Sequence, residues 1–195
     1  MADQTADVEL MLQVKEGNRA AFNVLLQRHR MPLINFLYRF TGSRGESEDL
    51  AQEVFLKVYQ AAGKYEPRAK FTTWLYRIAT NVALNDLRNR RPQKISSLDA
   101  ECDEEFQARR QWTDATPLAE ESLIGRERVA LIRRAISELP ENQRLAVILT
   151  KYQELSLKEA GQILKCSETA VKSLLFRAYT TLRHRLVSTV ETGIL

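Results

Sequence analysis

Four polar residues at helical spacing, Arg77, Asn81, Asn85 and Arg88, form the part of this chain best suited to chemistry with a ligand. Steps of four, four and three place them on one helix face. At a rise of ~1.5 Å per residue that face extends about 16 Å. Arginine supplies charge for a phosphate, and asparagine supplies a donor and an acceptor for a base edge. Asparagine is a poor helix former, so two of them on one stripe point to a ligand more than to a solvated face. Catalytic chemistry finds few candidates. Glu48, Asp49 and Glu53 lack a partnered His, Lys or metal-binding group nearby. His29 and His184 stand alone, and Cys102 and Cys166 are too few for a disulfide framework and lack zinc-ligand spacing. No catalytic residue, metal or cofactor is expected.

The stripe needs a helix to carry it. From Phe71 to about Arg90 there is no Gly or Pro, and Phe71, Trp74, Leu75, Ile78, Ala79 and Val82 recur at three- and four-residue steps. The helix is expected to run through Arg88, Arg90 and Arg91 and to stop before Pro92. A preceding helix buries Leu50, Val54, Phe55, Val58 and Ala62 and leaves Asp49, Gln52, Glu53, Leu56 and Gln60 outside. Glu46, Glu48 and Asp49 suit a helix N-terminus through its dipole. That does not account for Gln52 and Glu53 around an outward Leu56, which reads as a surface for a protein.

A third surface lies near the C-terminus. A helix from about Glu120 to Glu138 ends before Pro140, which fits the first turn of the next. Ser156 can cap a short helix, with Glu159 completing a capping box. Ala160 and Gly161 allow a close helix crossing. Ser167 then caps a helix through about Val187, whose inner seam is Val171, Leu175, Ala178 and Leu182. Glu168, Thr169, Lys172, Ser173, Phe176 and Arg177 are left outside. This is the layout of a helix-turn-helix, in which the second helix enters the major groove N-terminus first.

Composition sets the frame. The chain has 195 residues with seven Gly and five Pro, and β-type alternation is missing, so an all-α fold is expected. The start has no basic region followed by an apolar core, and no apolar run approaches the ~18 residues of a membrane span. An intracellular, cytoplasmic protein without membrane insertion is expected. Residues 1–92 carry 14 Lys and Arg against 10 Asp and Glu, residues 93–125 carry 3 against 8, and residues 126–195 carry 12 against 7. This order of basic, acidic and basic predicts two small helical domains, 1–92 and 126–195, joined by a flexible acidic linker over 93–125. Two basic modules on one tether suit two-point binding to a polyanion.

Together these stretches resemble a bacterial extracytoplasmic-function (ECF) sigma factor of the sigma-70 superfamily. Glu48-Asp49-Leu50-Ala51-Gln52-Glu53-Val54-Phe55-Leu56 is similar to the family's core-polymerase-binding helix. Phe71-Thr72-Thr73-Trp74-Leu75-Tyr76-Arg77-Ile78-Ala79-Thr80-Asn81 is similar to its −10 helix. Leu139-Pro140, Leu155-Ser156 and Val171-Lys172-Ser173 with Phe176-Arg177-Ala178 are similar to its −35 domain. Three departures bear on −35 preference. Thr169-Ala170 stands where Gly-Thr is frequent, Leu174 stands where Arg is frequent, and Lys165 stands in a turn that usually holds Gly.

The resemblance implies that Asp49, Gln52, Glu53 and Leu56 dock on the β′ clamp helices of core RNA polymerase. The resemblance also implies the β flap as a further contact. It implies −10 contacts by Lys70, Phe71, Trp74, Arg77, Asn81, Asn85 and Arg88, with the loop Gly63–Lys70 holding an extruded base. It implies −35 contacts by Ser167, Thr169, Lys172, Ser173, Phe176 and Arg177, a linker threading toward the polymerase cleft, and control by an anti-sigma factor. Two rivals fit less well. A sigma-like decoy would not need Arg77, Asn81, Lys172 and Arg177. A plain helix-turn-helix repressor leaves the Asp49–Leu56 surface unexplained.

Overall fold

The computed structural model describes residues 2–96 and 123–191, with side chains described over 6–90 and 129–187. Secondary structure among the described residues is helical throughout. In the N-terminal half α1 spans Ala2–Lys15, α2 Arg19–Thr41, α3 Arg44–Ala61 and α4 Phe71–Ser96, with a 3₁₀ turn at Ala62–Lys64 after α3. In the C-terminal half α5 spans Leu123–Ser137 and α6 Glu141–Val147, which runs on as a π turn over Ile148–Tyr152. Then α7 spans Leu157–Leu164 and α8 Glu168–Glu191.

Local signals set most of these limits. Asn18 caps α2 by accepting from the N–H groups of Ala20 and Ala21 at 3.0 and 3.2 Å. Gly42 ends α2 at φ +80°, in the left-handed region, donating its N–H to the Tyr38 carbonyl. Ser156 and Glu159 form the expected capping box at α7, and Ser167 Oγ accepts from the Ala170 N–H at 3.1 Å at the start of α8. Helices α1 and α2 precede every element expected from the sequence. Another difference lies in α4, which continues through Pro92 to Ser96. A proline inside a helix forfeits one backbone hydrogen bond, and the helical phase here continues past it. Residues 93–96 and 123–125, expected in the linker, are therefore helical. The rest of that linker, 97–122, lies outside the described residues.

The core joins the two halves. Met11, Leu25, Leu33, Phe36, Leu37, Val54, Val58, Leu75 and Ala79 are buried in one cluster that continues into Leu145, Ile148, Leu149, Ala160, Ile163 and Val171. A smaller cluster of Leu139, Val147 and Ala178, with Leu175 and Leu182 against it, sits within the C-terminal half. Helices α4 and α7 pack directly on each other. Polar contacts surround that packing. Tyr76 donates its hydroxyl hydrogen to Gln153 Oε1. Arg144 donates to the Phe40 carbonyl at 2.8 Å and to the Leu139 carbonyl at 3.1 Å. Lys70 Nζ pairs with Glu159 at 2.9 Å, and the Arg39 guanidinium lies 4.5 Å from the Tyr152 ring centre. The two expected domains are present as helical halves that rest on each other.

Candidate nucleic-acid interface

The polar stripe of α4 is built as the spacing requires. Leu75, Ala79, Val82 and Ala83 are buried, and that turns Arg77, Asn81, Asn85 and Arg88 to solvent. None of these four is held by a hydrogen bond or ion pair among the described residues, so their groups remain open to a ligand. Arg90 differs. Its guanidinium is taken by Asp86, at 2.9 Å, and by Glu46. It ties α4 to α3, so the open basic end of the stripe is Arg88.

The first turn of α4 departs from expectation. Phe71 is only 1% exposed. Its ring packs 5.1 Å from the His29 ring and 6.1 Å from Trp74, measured between centroids. It is a core residue that sets the helix start, and it does not reach a nucleic acid from this position. The reason is periodicity, since Phe71 is in phase with Leu75, Ile78 and Val82. Trp74 is half-buried, edge-on to Tyr65 at 5.0 Å. His29, which seemed isolated in sequence, meets Asp7 at 2.8 Å, and Arg28 meets the same carboxylate at 2.9 Å. In the loop before α4, Tyr65 is buried and its carbonyl accepts from Lys15 Nζ at 3.0 Å. That anchor leaves Gly63, Lys64 and residues 66–70 exposed. Lys70 is exposed too, with its ammonium on Glu159.

On α3 the expected surface is present. Asp49, Gln52, Glu53 and Leu56 are all exposed, while Leu50, Val54, Phe55 and Val58 are buried. Glu53 also pairs with Lys57 at 3.2 Å. Tyr59 extends this surface, lying edge-on to Phe22 at 5.0 Å with part of its ring in solvent. It was not singled out in the sequence. The signal was there, because Tyr59 is one turn beyond Leu56 and on its side of the helix.

The α8 surface completes the set. Thr169, Lys172, Ser173, Phe176 and Arg177 line one shallow concavity. Val171 and Ala178 beneath them are fully buried. Ser173 Oγ donates to the Thr169 carbonyl at 3.1 Å, and Ser167 is spent on capping. The cations of Lys172 and Arg177 and the Phe176 ring are thus the groups most available to DNA. Phe176, at 73% exposure, and Leu56, at 56%, are the two most exposed large apolar side chains among the described residues. Each sits at the centre of a surface expected to meet a partner. Leu174 sits elsewhere. It is half-buried in a groove with Leu87, Leu139 and Pro140, so a cation missing at this position is not missing from the α8 surface.

The arrangement offers hydrogen bonding, charge and apolar contact. No group of three or more His, Cys, Asp or Glu suited to a metal occurs among the described residues, and no helix there is long and apolar enough to cross a membrane.

Residues 25–93 match the family profile Sigma-70 region 2, and residues 130–182 match Sigma-70, region 4. The chain is 34% identical to the RNA polymerase sigma-H factor of Pseudomonas aeruginosa over 91% of its own length and 92% of that protein's. It is 32% identical to the ECF RNA polymerase sigma factor SigW of Bacillus subtilis over 89% and 93%. In three dimensions it is similar to CnrH, solved with the cytosolic domain of CnrY, at a TM-score of 0.68 and 25% identity, covering 94% of this chain and 98% of that one. The fold is shared with the sigma factor RpoE of Bartonella quintana, solved with the anti-sigma factor NepR, at a TM-score of 0.65 and 22% identity over 85% and 96%. With both region matches in chain order and relatives matched along nearly their whole length, the chain belongs to the sigma-70 family of RNA polymerase sigma factors, in its ECF branch.

Proposed function

We propose that this ECF sigma factor divides its work among three separate surfaces. Asp49, Gln52, Glu53 and Leu56 on α3, joined by Tyr59, bind the β′ clamp helices of core RNA polymerase. Arg77, Asn81, Asn85 and Arg88 on α4 read and hold the −10 element, with Lys70 and the exposed edge of Trp74 beside them. Lys172, Phe176 and Arg177 on α8 meet the −35 element, with Thr169 and Ser173 lining the same concavity and Ser167 fixing the helix start. The observation that carries this reading is the outward placement of all three sets on helices whose opposite faces are buried. Asparagine pairs with base edges and arginine with phosphates or guanine, so the stripe can both choose and hold. The protein acts as an initiation factor in the cytoplasm, where its polymerase is, and itself performs no catalysis. Control by an anti-sigma factor that covers these surfaces belongs to the same reading.

Run-off transcription with purified core polymerase on a randomised promoter library is the direct test. Enrichment of a defined pair of elements at −10 and −35 supports the assignment. Transcription that does not depend on the added chain contradicts it.

A further inference from the structure

Helix α1 lies ahead of the Sigma-70 region 2 match, which begins at residue 25, and none of the three surfaces above draws on it. It is nonetheless tied to the −10 side of the molecule. Asp7, Met11 and Lys15 recur at four-residue steps and share one face of α1. Met11 is fully buried, and Asp7 is a carboxylate only 3% exposed. The helix packs on α2, on the 3₁₀ turn Ala62–Lys64 and on α4.

Two lines of contact run from that face to Trp74. In the first, Lys15 Nζ donates to the Tyr65 carbonyl at 3.0 Å, and the Tyr65 ring stands edge-on to Trp74 at 5.0 Å. In the second, Asp7 meets His29 Nε2 at 2.8 Å and Arg28 at 2.9 Å. The His29 ring lies 5.1 Å from Phe71, and Phe71 lies 6.1 Å from Trp74. Asp7 also acts on Tyr65, whose hydroxyl is pushed above its ordinary value by burial first and by that carboxylate second. The hydroxyl is buried with no hydrogen-bond partner among the described residues. Tyr65 is therefore placed by ring packing, by its N–H on the Ala62 carbonyl at 3.0 Å and by Lys15. Gly63, Lys64 and residues 66–70 are exposed, so Tyr65 is the seat of an otherwise open loop.

We propose that α1 is a positioning element for −10 recognition, in which Lys15 seats Tyr65 so that the loop 63–70 and the exposed edge of Trp74 are formed in advance for an extruded base. The inference rests on the reading of that loop and of Trp74 as part of the −10 surface, and deepens it. Extrusion costs unstacking and unpairing. A loop that must be ordered on binding adds to this cost, and a loop already seated does not. Lys15 acts through Tyr65, so it changes how often the site is formed and not the charge that DNA meets. The Asp7–His29 contact has the complementary task of holding α1 against α2 and the start of α4. A direct grip of Lys15 on a DNA phosphate is the competing account, because its side chain is exposed.

The test uses the holoenzyme on forked −10 DNA, intact and with an abasic site at each −10 position in turn. For the wild type, one abasic position should weaken binding, and it marks the extruded base. Lys15→Met should weaken binding to intact DNA by about 3- to 10-fold, because apparent affinity scales with the fraction of chains whose loop is seated. On DNA abasic at the marked position the variant should bind as the wild type does. Its salt slope should be unchanged, and Lys15→Arg should restore most of the loss. In the free chain with Trp112→Phe, which leaves Trp74 as the one tryptophan, Lys15→Met should make the indole more open to acrylamide quenching. Competition for core polymerase should stay at the wild-type level, which separates a loosened loop from a chain that fails to fold. Lys15→Gln, whose shorter side chain falls away from the Tyr65 carbonyl, should repeat the pattern as a second variant. An equal loss on intact and abasic DNA, or a salt slope lowered by about one unit, overturns the proposal in favour of a phosphate contact. Wild-type affinity of Lys15→Met for intact DNA overturns it as well. A wild type indifferent to every abasic position contradicts the base-holding loop itself, and this inference with it.

Discussion

Lys165 ends α7 at φ +56°, in the left-handed region that favours glycine. A non-glycine residue there costs roughly 1–2 kcal/mol. Lys165→Gly should therefore raise stability by up to about 1 kcal/mol, after the added freedom of glycine in the unfolded chain is counted. Gly161, one turn back, has the opposite constraint. A Cβ at this position would stand 2.7 Å from the Cys166 carbonyl oxygen, a backbone atom. Gly161→Ala should cost about 1–3 kcal/mol, as overpacking does, and thermal melting of both variants checks the pair. The sequence suggested small residues for a close crossing, and the structure locates the close approach at the turn of the same motif.

The two kinds of side chain on α4 should also separate by experiment. Asn81→Ala should relax preference at one −10 base by ~1–3 kcal/mol, whereas Arg88→Ala should weaken all promoters alike and lower the salt slope by about one unit. Equal weakening with unchanged base preference in both variants would falsify the division. Residue identity alone did not settle which neighbours share this work. Phe71 has the type of a base-stacking residue, but its phase with Leu75 sends it into the core.

At the scale of elements, α3 offers the plainest separation of stability from binding. Gln52→Ala with Leu56→Ala touches exposed positions, so folding stability should change by no more than ~0.5 kcal/mol. Competition for core polymerase should fall far more. A double variant that melts normally and competes fully removes α3 from the polymerase contact. Helix α7 offers a pH test. Burial works against the Glu159 carboxylate, but hydrogen bonds from Ser156, its hydroxyl and backbone N–H, and from Lys70 outweigh it and hold the group below its ordinary 4.5. A carboxyl lowered on folding stabilises the folded state above its unfolded value, and the gain is lost as pH falls through the folded one. Glu159→Gln keeps a capping side chain but loses the charge. Its melting temperature should fall below the wild type's at neutral pH, and the gap should close in acid. Elements with caps and clear seams were legible: α3, α4, α7 and α8 all follow from spacing and polar signals. Helices α1 and α2 were less so, and α2 carries Pro32 in its interior, a residue that ordinarily stops a helix. The continuation of α4 past Pro92 was hidden by a residue that ordinarily stops a helix.

For the whole molecule, charge order gave two halves, and the fold has them, but their packing came from contacts no local pattern reveals. Tyr76 and Gln153 are far apart in sequence, as are Arg144 and Phe40. Each looks like an ordinary helix or loop residue until the partner is present. The central claim is that one chain holds polymerase by one surface and reads promoter DNA by others. Lys172→Ala with Arg177→Ala, in one preparation, tests it by two readings. The account predicts wild-type competition for core polymerase together with loss of run-off transcription from promoters that need a −35 element. Wild-type transcript levels from those promoters would contradict it.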